Sequence, residues 1–521
     1  MATLTMKFGG TSVGSAGALA QAADIVLEQA QKWDRLVVVV SAMSGVTDAL
    51  TQGALTAALG DERTYRAIVA NLRIRHYRAV DELLCSELVD ELSPGSERAR
   101  LLATVDEYLD EFAAFCRSVH VLGEVTPRAM DAITSLGERI NARLMAAVLC
   151  LRGTFGKAVD ATELIVTDDT FQNAVPLMEA TRNRVSNGLS PLLDEGIIPI
   201  VTGFIGATEN GITTTLGRGG SDYSAAILGD CLDADEVWTW TDVDGVMTAD
   251  PRIVSNARVI PTLSYSELGE LAYFGAKVLH PRTIRPLIER GIPLWVKNTF
   301  NPTCPGTRIV REPEGAHGTV KAVTAIKGLS LVTVEGRGMI GVPGIAARTF
   351  AAVASQGASV LMISQASSEQ SICFVIPTET VSPVICAIEE EMALELARRD
   401  VDRVWSLDGV VIVTTVGAGM RGAMGVAARI FDALSQGNIN VIAIAQGSSD
   451  CSVSLVVAAD AAAGAVQQIH REVIINDQDT CRHPGRDRRG RATLCPTPDR
   501  SSLVRDRGAG GLGAERQSPL R

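Results

Sequence analysis

The first 300 residues alternate short β-branched apolar runs with longer stretches whose apolar positions recur every three or four residues. Residues 6–8, 36–40, 198–202, 236–241 and 294–296 have the length and composition of buried strands. Residues 16–32, 137–152, 175–187 and 221–232 have helical spacing. This alternation predicts an α/β domain with a mainly parallel sheet flanked by helices. Over 63–116 the pattern is helical and broken once, at Ser93-Pro94-Gly95, which predicts an inserted helical pair beside the sheet.

The pattern changes around residues 301–318, NPTCPGTRIVREPEGAHG, whose prolines and glycines have the signature of a linker. An internal repeat follows. GMIGVPGIAARTF at 338–350 matches GMRGAMGVAARIF at 419–431, and VLMISQASSEQSICFV matches VIAIAQGSSDCSVSLV, both at an offset of 81 residues. Each unit reads strand, Gly-rich turn, helix, strand, Ser-Ser-acidic turn, strand, a small α+β module and not a solenoid. From Asp477 onward there are ten arginines, no lysine, no aromatic residue and no apolar period, the composition of a disordered tail. Residues 508–513 formally match GxGxxG, but no apolar strand precedes them and the chain is too short afterwards for the required helix. The expected organisation is an α/β domain over 1–300, a linker over 301–326, modules over 327–405 and 406–476, and a tail over 477–521.

Composition removes several classes. With 521 residues and a formal net charge of −12, the chain lacks the Lys/Arg excess that nucleic-acid binding requires. Its purely apolar runs fall far short of the ~20 residues that span a bilayer. The opening MATLTMKFGG has no apolar segment of the kind a secretory signal carries, so a cytoplasmic protein is expected. Ten cysteines form no CxxC pair and six histidines no HxxxH, which gives neither a metal site nor a disulfide framework.

The chemistry gathers at strand ends. Lys7-Phe8-Gly9-Gly10-Thr11-Ser12 places a lysine in a glycine-rich bend between a strand and a helix, where exposed backbone N–H groups favour an anion. A second predicted strand ends in Ser41-Ala-Met-Ser44-Gly45-Val46-Thr47, and a third leads to Gly217-Arg218-Gly219-Gly220-Ser221-Asp222. A fourth ends in Thr241-Asp242-Val-Asp244-Gly245, running on to Asp250-Pro251-Arg252. In parallel α/β sheets ligands bind at the carboxyl edge, so four polar loops converging there predict a phosphate-transfer crevice.

These segments, with Ser135-Leu-Gly-Glu138-Arg139 and Gly275-Ala-Lys277-Val-Leu-His280-Pro281, resemble the motif set of the aspartokinases, members of the amino-acid kinase superfamily. The resemblance covers about residues 4–473. The repeats resemble ACT domains and are most similar to the regulatory part of bifunctional aspartokinase–homoserine dehydrogenases, with the Arg-rich tail standing where the dehydrogenase half would start. The resemblance implies an amino-acid-kinase fold followed by two ACT-type modules, and transfer of phosphate from ATP with Mg2+ to the L-aspartate side-chain carboxylate. It implies catalytic Lys7 and Asp222, the second orienting the first. It implies aspartate held by Ser41, Thr47, Glu138, Arg218 and Ser221, with Arg218 forking onto the α-carboxylate and Glu138 pairing with the α-ammonium. Lys7, Phe8, Gly9, Gly10, Gly219, Gly220, Thr241, Asp242, Met247, Asp250, Arg252 and Lys277 would hold the nucleotide. Gln365 and Gln446, equivalent across the repeat, would bind a regulatory amino acid, threonine in the first place and lysine in the second. A homodimer or higher assembly through the ACT modules is expected. A glutamate kinase of the same fold and a non-catalytic amino-acid sensor are the rivals.

Overall fold

The valine run at 37–40 lies in an interior strand of the main sheet, and all four side chains are fully buried. A strand buried on both faces reads as a continuous apolar run because helices cover a parallel sheet from both sides. Val38 and Val40 pack with one set of helices, and Val37 and Val39 with the other. The computed structural model describes residues 1–84, 96–276, 279, 281–313, 319–366, 370–420, 422–446 and 451–475. The tail over 477–521, its GxGxxG match, Lys277, His280 and the Ser93-Pro94-Gly95 break lie outside these residues.

The main sheet has eight strands: β1 (Thr3–Phe8), β2 (Arg35–Val40), β3 (Gly156–Val159), β4 (Ile198–Thr202), β5 (Glu236–Thr241), β6 (Thr262–Ser264), β7 (Leu294–Asn298) and β8 (Thr307–Val310). Their order is β3-β4-β2-β1-β5-β7-β8-β6, parallel at every pairing except β7 with β8. One face carries α1 (Ala16–Ala30), α2 (Val46–Ala58), the long pair α3 (Glu62–Leu84) and α4 (Glu97–Leu122), α5 (Pro127–Thr134) and α6 (Leu136–Leu151). The other carries α7 (Met178–Asp194) and α8 (Gly220–Cys231).

Helix α7 begins later than the periodicity of 175–187 predicts and runs further. Pro176 forms an extended bridge with Thr167 before the helix starts, as a proline-bearing segment prefers. The Pro/Gly-rich stretch after residue 301 contains β8, which inserts between β7 and the edge strand β6. Strands this short give little alternation to read.

The repeats build a single antiparallel sheet from β9 (Ala322–Glu335), β10 (Met362–Gln365), β11 (Ser371–Pro377), β12 (Arg403–Val416), β13 (Ala443–Ala445) and β14 (Ser452–Ala458). The order is β10-β11-β9-β12-β14-β13. Strand β9 runs the whole length of β12, from Ala322 opposite Val416 to Glu335 opposite Arg403. Its first residues therefore sit beside the end of β12 whose other neighbour is β14, in the second repeat. Helices covering the sheet include α9 (Ile345–Ser355) and α10 (Val381–Glu391) in the first repeat, and α11 (Val426–Gln436) and α12 (Ala462–Ile469) in the second. The equivalent glycines Gly344 and Gly425 open α9 and α11 at φ 97° and 83°, a conformation that disfavours any other residue. The core beneath the second repeat also takes in Ala249 and Val254, from the segment that follows β5.

Candidate active site

A cleft of about 610 Å³ opens at the carboxyl ends of β1, β2 and β4. The first turns of α2, α6 and α8 point into it, so three helix N-termini give it a positive bias before any side chain is counted. Among the residues lining it are Lys7, Gly10, Ser41, Thr47, Glu138, Arg218, Gly219, Gly220, Ser221 and Asp222. Residues spread over more than 200 positions of chain are brought to one place by the sheet.

Lys7 is the penultimate residue of β1, where its side chain is nearly buried, and its Nζ lies 2.7 Å from Asp222 Oδ1 in the first turn of α8. Gly217 and Gly219 both have positive φ, which lets the chain double back tightly before α8 starts. Gly10 approaches the β2 loop closely: a Cβ there would lie 3.2 Å from the carbonyl oxygen of Ala42. The main-chain N–H of Ser44 donates to Gly10 O at 3.0 Å, locking the two loops together.

Glu138 stands in the first turn of α6 with its carboxylate fully enclosed. Oε1 accepts from Ala42 N at 3.2 Å, whereas Oε2 is buried with no hydrogen-bond partner among the described residues. Burial pushes its carboxyl up to about 8, against the opposing pull of the Ala42 amide and its own amide. Arg139 beside it does not neutralise it outright, because its guanidinium is engaged with Asp160 at 2.7 Å. A carboxylate that lines a polar cleft and has one buried oxygen lacking a donor fits a cationic group arriving from outside.

Two lining residues carried no sequence signal. Asp131, buried on α5, accepts from Gln172 N at 2.9 Å, Thr215 N at 3.0 Å and Thr215 Oγ1 at 2.8 Å. It thereby ties the strand Thr213–Thr215, which feeds the Gly217–Asp222 loop, to the helical side of the cleft, and burial pushes its carboxyl up. Phe204 adopts φ 71°, a strained setting for a bulky residue, and its N–H donates to Ser224 Oγ at 3.0 Å. A single buried carboxylate and one positive φ leave no periodic trace.

The remaining expected residues are placed differently. The Phe8 side chain is fully buried and stacked on Trp240, with ring centroids 6.0 Å apart, so it has no face to offer a nucleotide. Gly9 N donates to Trp240 O at 3.0 Å, at the seam between β1 and β5. Thr241 and Asp242 lie at the carboxyl end of β5, on the same sheet edge but outside the lining of the cleft. Asp250 and Arg252 pair with each other at 2.7 Å, and that contact holds the Asp250 carboxyl below its usual range. Met247 bridges Val259. Gln365 ends β10 and Gln446 follows β13; both are exposed, far from the cleft in the chain. Cα atoms of these two edge strands lie within 8 Å of one another.

Comparison with known proteins adds the family. The amino acid kinase family matches residues 3–298, and an ACT domain family matches 332–392 and 413–473. Aspartokinase 3 of Arabidopsis thaliana is 34% identical over 484 residues, covering 92% of this chain and 82% of that protein. The chain belongs to the aspartokinases of the amino acid kinase family. A bifunctional aspartokinase/homoserine dehydrogenase of Zea mays is 38% identical over 475 residues, covering 90% of this chain and 50% of that protein. The chain thus spans about half the length of the bifunctional relatives it matches. Among solved structures, E. coli aspartokinase III in complex with aspartate and ADP matches with a TM-score of 0.72 at 30% identity, covering 90% of this chain and 99% of that one. The same enzyme in complex with lysine and aspartate matches with a TM-score of 0.72 at 28% identity, over 91% of this chain and 99% of that one. Among the described residues no helix is long and apolar enough to cross a membrane.

Proposed function

We propose that this chain transfers the terminal phosphoryl group of ATP to the side-chain carboxylate of L-aspartate, giving 4-phospho-L-aspartate, with Mg2+ accompanying the nucleotide. The observation that carries the reading is the cleft's sorting of charge. A buried, incompletely bonded Glu138 faces the same space as Arg218 and the Lys7–Asp222 pair. An α-amino acid with a second carboxylate matches that array: ammonium to Glu138, α-carboxylate to the Arg218 fork, side chain toward Lys7. The carboxylate nucleophile has an ordinary pKa of ~3.9 and is ionised at neutral pH, so no general base is needed. What opposes reaction is repulsion between two anions. Lys7, held in place by Asp222, and the helix N-termini supply positive potential where charge accumulates. ATP supplies the phosphoryl group; on this reading it reaches the cleft along the β1–β5 edge, with Thr241, Asp242 and the loop to Arg252 beside it and Lys277 toward its phosphates.

The reading includes regulation by an amino acid at the ACT-type repeats, with threonine favoured over lysine, assembly of at least a homodimer through them, and a place at the start of lysine, threonine and methionine synthesis. The solved aspartokinases with aspartate, ADP and lysine support its general form.

An ATP-dependent hydroxamate assay over a panel of amino acids tests it. Aspartate is expected to be the preferred acceptor, and Lys7→Ala to lower kcat by ~10²–10³ with a smaller change in nucleotide affinity. Preference for glutamate, or near-normal turnover in Lys7→Ala, would remove the assigned roles.

A further inference from the structure

The segment that follows Asp242 is not an independent loop. Thr248 within it is almost completely buried, and its Oγ1 lies 2.9 Å from Nε2 of His470, equally buried where a π-helical turn continues α12. The Thr248 oxygen also accepts from Arg258 N at 2.9 Å, so with the His470 ring the buried hydroxyl has a partner on each side. Thr248 O accepts from Val323 N at 2.9 Å, at the start of β9, and Gln467 Nε2 on α12 donates to Ile253 O at 2.9 Å. Ala249 and Val254 complete the seam by entering the second repeat's apolar core, beside Ile469 and Val473.

We propose that His470, a residue of the second ACT-type repeat, is a positioning residue for nucleotide binding, acting through Thr248 to hold the segment from Met247 to Arg252 in place. The proposal rests on the assignment of that segment to ATP. Thr248 is the fixed point of the segment: its main chain is bonded on both sides, to Arg258 O at 2.8 Å and from Val323 N, and its hydroxyl faces the histidine. Removing the ring nitrogen takes away the buried Thr248 hydroxyl's partner in the repeat that also supplies the surrounding apolar wall, so the segment loses its anchor while the aspartate end of the cleft, built from β1, β2 and α8, is untouched.

The test uses the full chain with His470→Phe, which keeps a ring but no hydrogen-bonding nitrogen, His470→Gln, whose amide can either donate or accept, and Thr248→Val. His470→Phe and Thr248→Val are each expected to raise the KM for ATP roughly 5- to 10-fold, with kcat and the KM for aspartate within about twofold, and the double variant to be no worse than either alone. His470→Gln should stay near the parent. Amide exchange at Thr248, Ile253 and Val254, all hydrogen-bonded in the parent, should quicken in both disruptive variants. Unchanged exchange at those amides, an equal rise in both KM values, or failure of His470→Gln to restore the parent behaviour would overturn the proposal. A parent chain that fails to phosphorylate aspartate sinks the functional reading instead, while faster exchange in His470→Phe would still uphold the joint.

Discussion

Glu138 shows how burial and chemistry pull one residue in opposite directions. A helix N-terminus favours an ionised carboxylate, yet complete enclosure outweighs it and lifts the carboxyl from 4.5 to about 8. Because the folded value is the higher one, the folded chain binds the extra proton. Stability associated with the protonated form is therefore fully present below about 4.5 and lost as pH rises toward about 8. Glu138→Gln should flatten that part of the stability profile and, at pH 8, melt above the parent when both lack ligand. The same residue gives a binding signature: an arriving ammonium favours the carboxylate, so aspartate binding at pH 7 should release a proton in the parent and none in Glu138→Gln. Calorimetry in buffers of different ionisation enthalpy reads this directly. Equal proton release in the two would take Glu138 out of the ammonium site. From the sequence, Glu138 was visible as an acid at a helix start; its missing partner was not, because burial of one oxygen depends on how α6 meets the β2 loop.

At the scale of elements, the cleft depends on how closely α8 is drawn onto the end of β4. Gly203, just past that strand, makes the approach possible: a Cβ there would lie 2.7 Å from Ser221 Oγ and 3.1 Å from its Cα, which is main chain and cannot swing aside. Gly203→Ala should push the first turn of α8 outward, costing about 1–3 kcal/mol in chemical denaturation. The KM for aspartate should rise as Ser221 and Asp222 shift; a variant with parent stability and KM would show that the turn has slack. The central strands were legible because burial on both faces writes an unbroken apolar run, as in residues 36–40. β8 was not, since four residues among prolines carry too little alternation, and α7 was misplaced because nothing in its period records that Pro176 is already engaged in a bridge. Glycine-rich loops announced the site, while Asp131 and Phe204, which shape it through single contacts, left no motif.

For the whole molecule, the repeat predicts regulation at a pair of related positions. Gln365 ends one edge strand and Gln446 directly follows another, the two strands come close together, and each amide is able to meet the carboxylate or ammonium of a small amino acid. Threonine should inhibit, and Gln365→Ala or Gln446→Ala should relieve that inhibition with uninhibited kcat largely intact; dose–response curves decide, and two fully sensitive variants would put the effector elsewhere. The shared sheet carries a further consequence, for the order in which the chain can fold as it is made. Val323 pairs with Thr415, and nothing in the first repeat can take that place. At about 5–20 residues per second, roughly 90 residues must leave the ribosome before the partner arrives, leaving an open strand edge for some 5–20 seconds. A nascent chain halted between the repeats would hold that edge bare, a template for pairing with another chain. Synthesis pauses in this stretch should therefore cost yield through aggregation, even though the finished protein is unchanged.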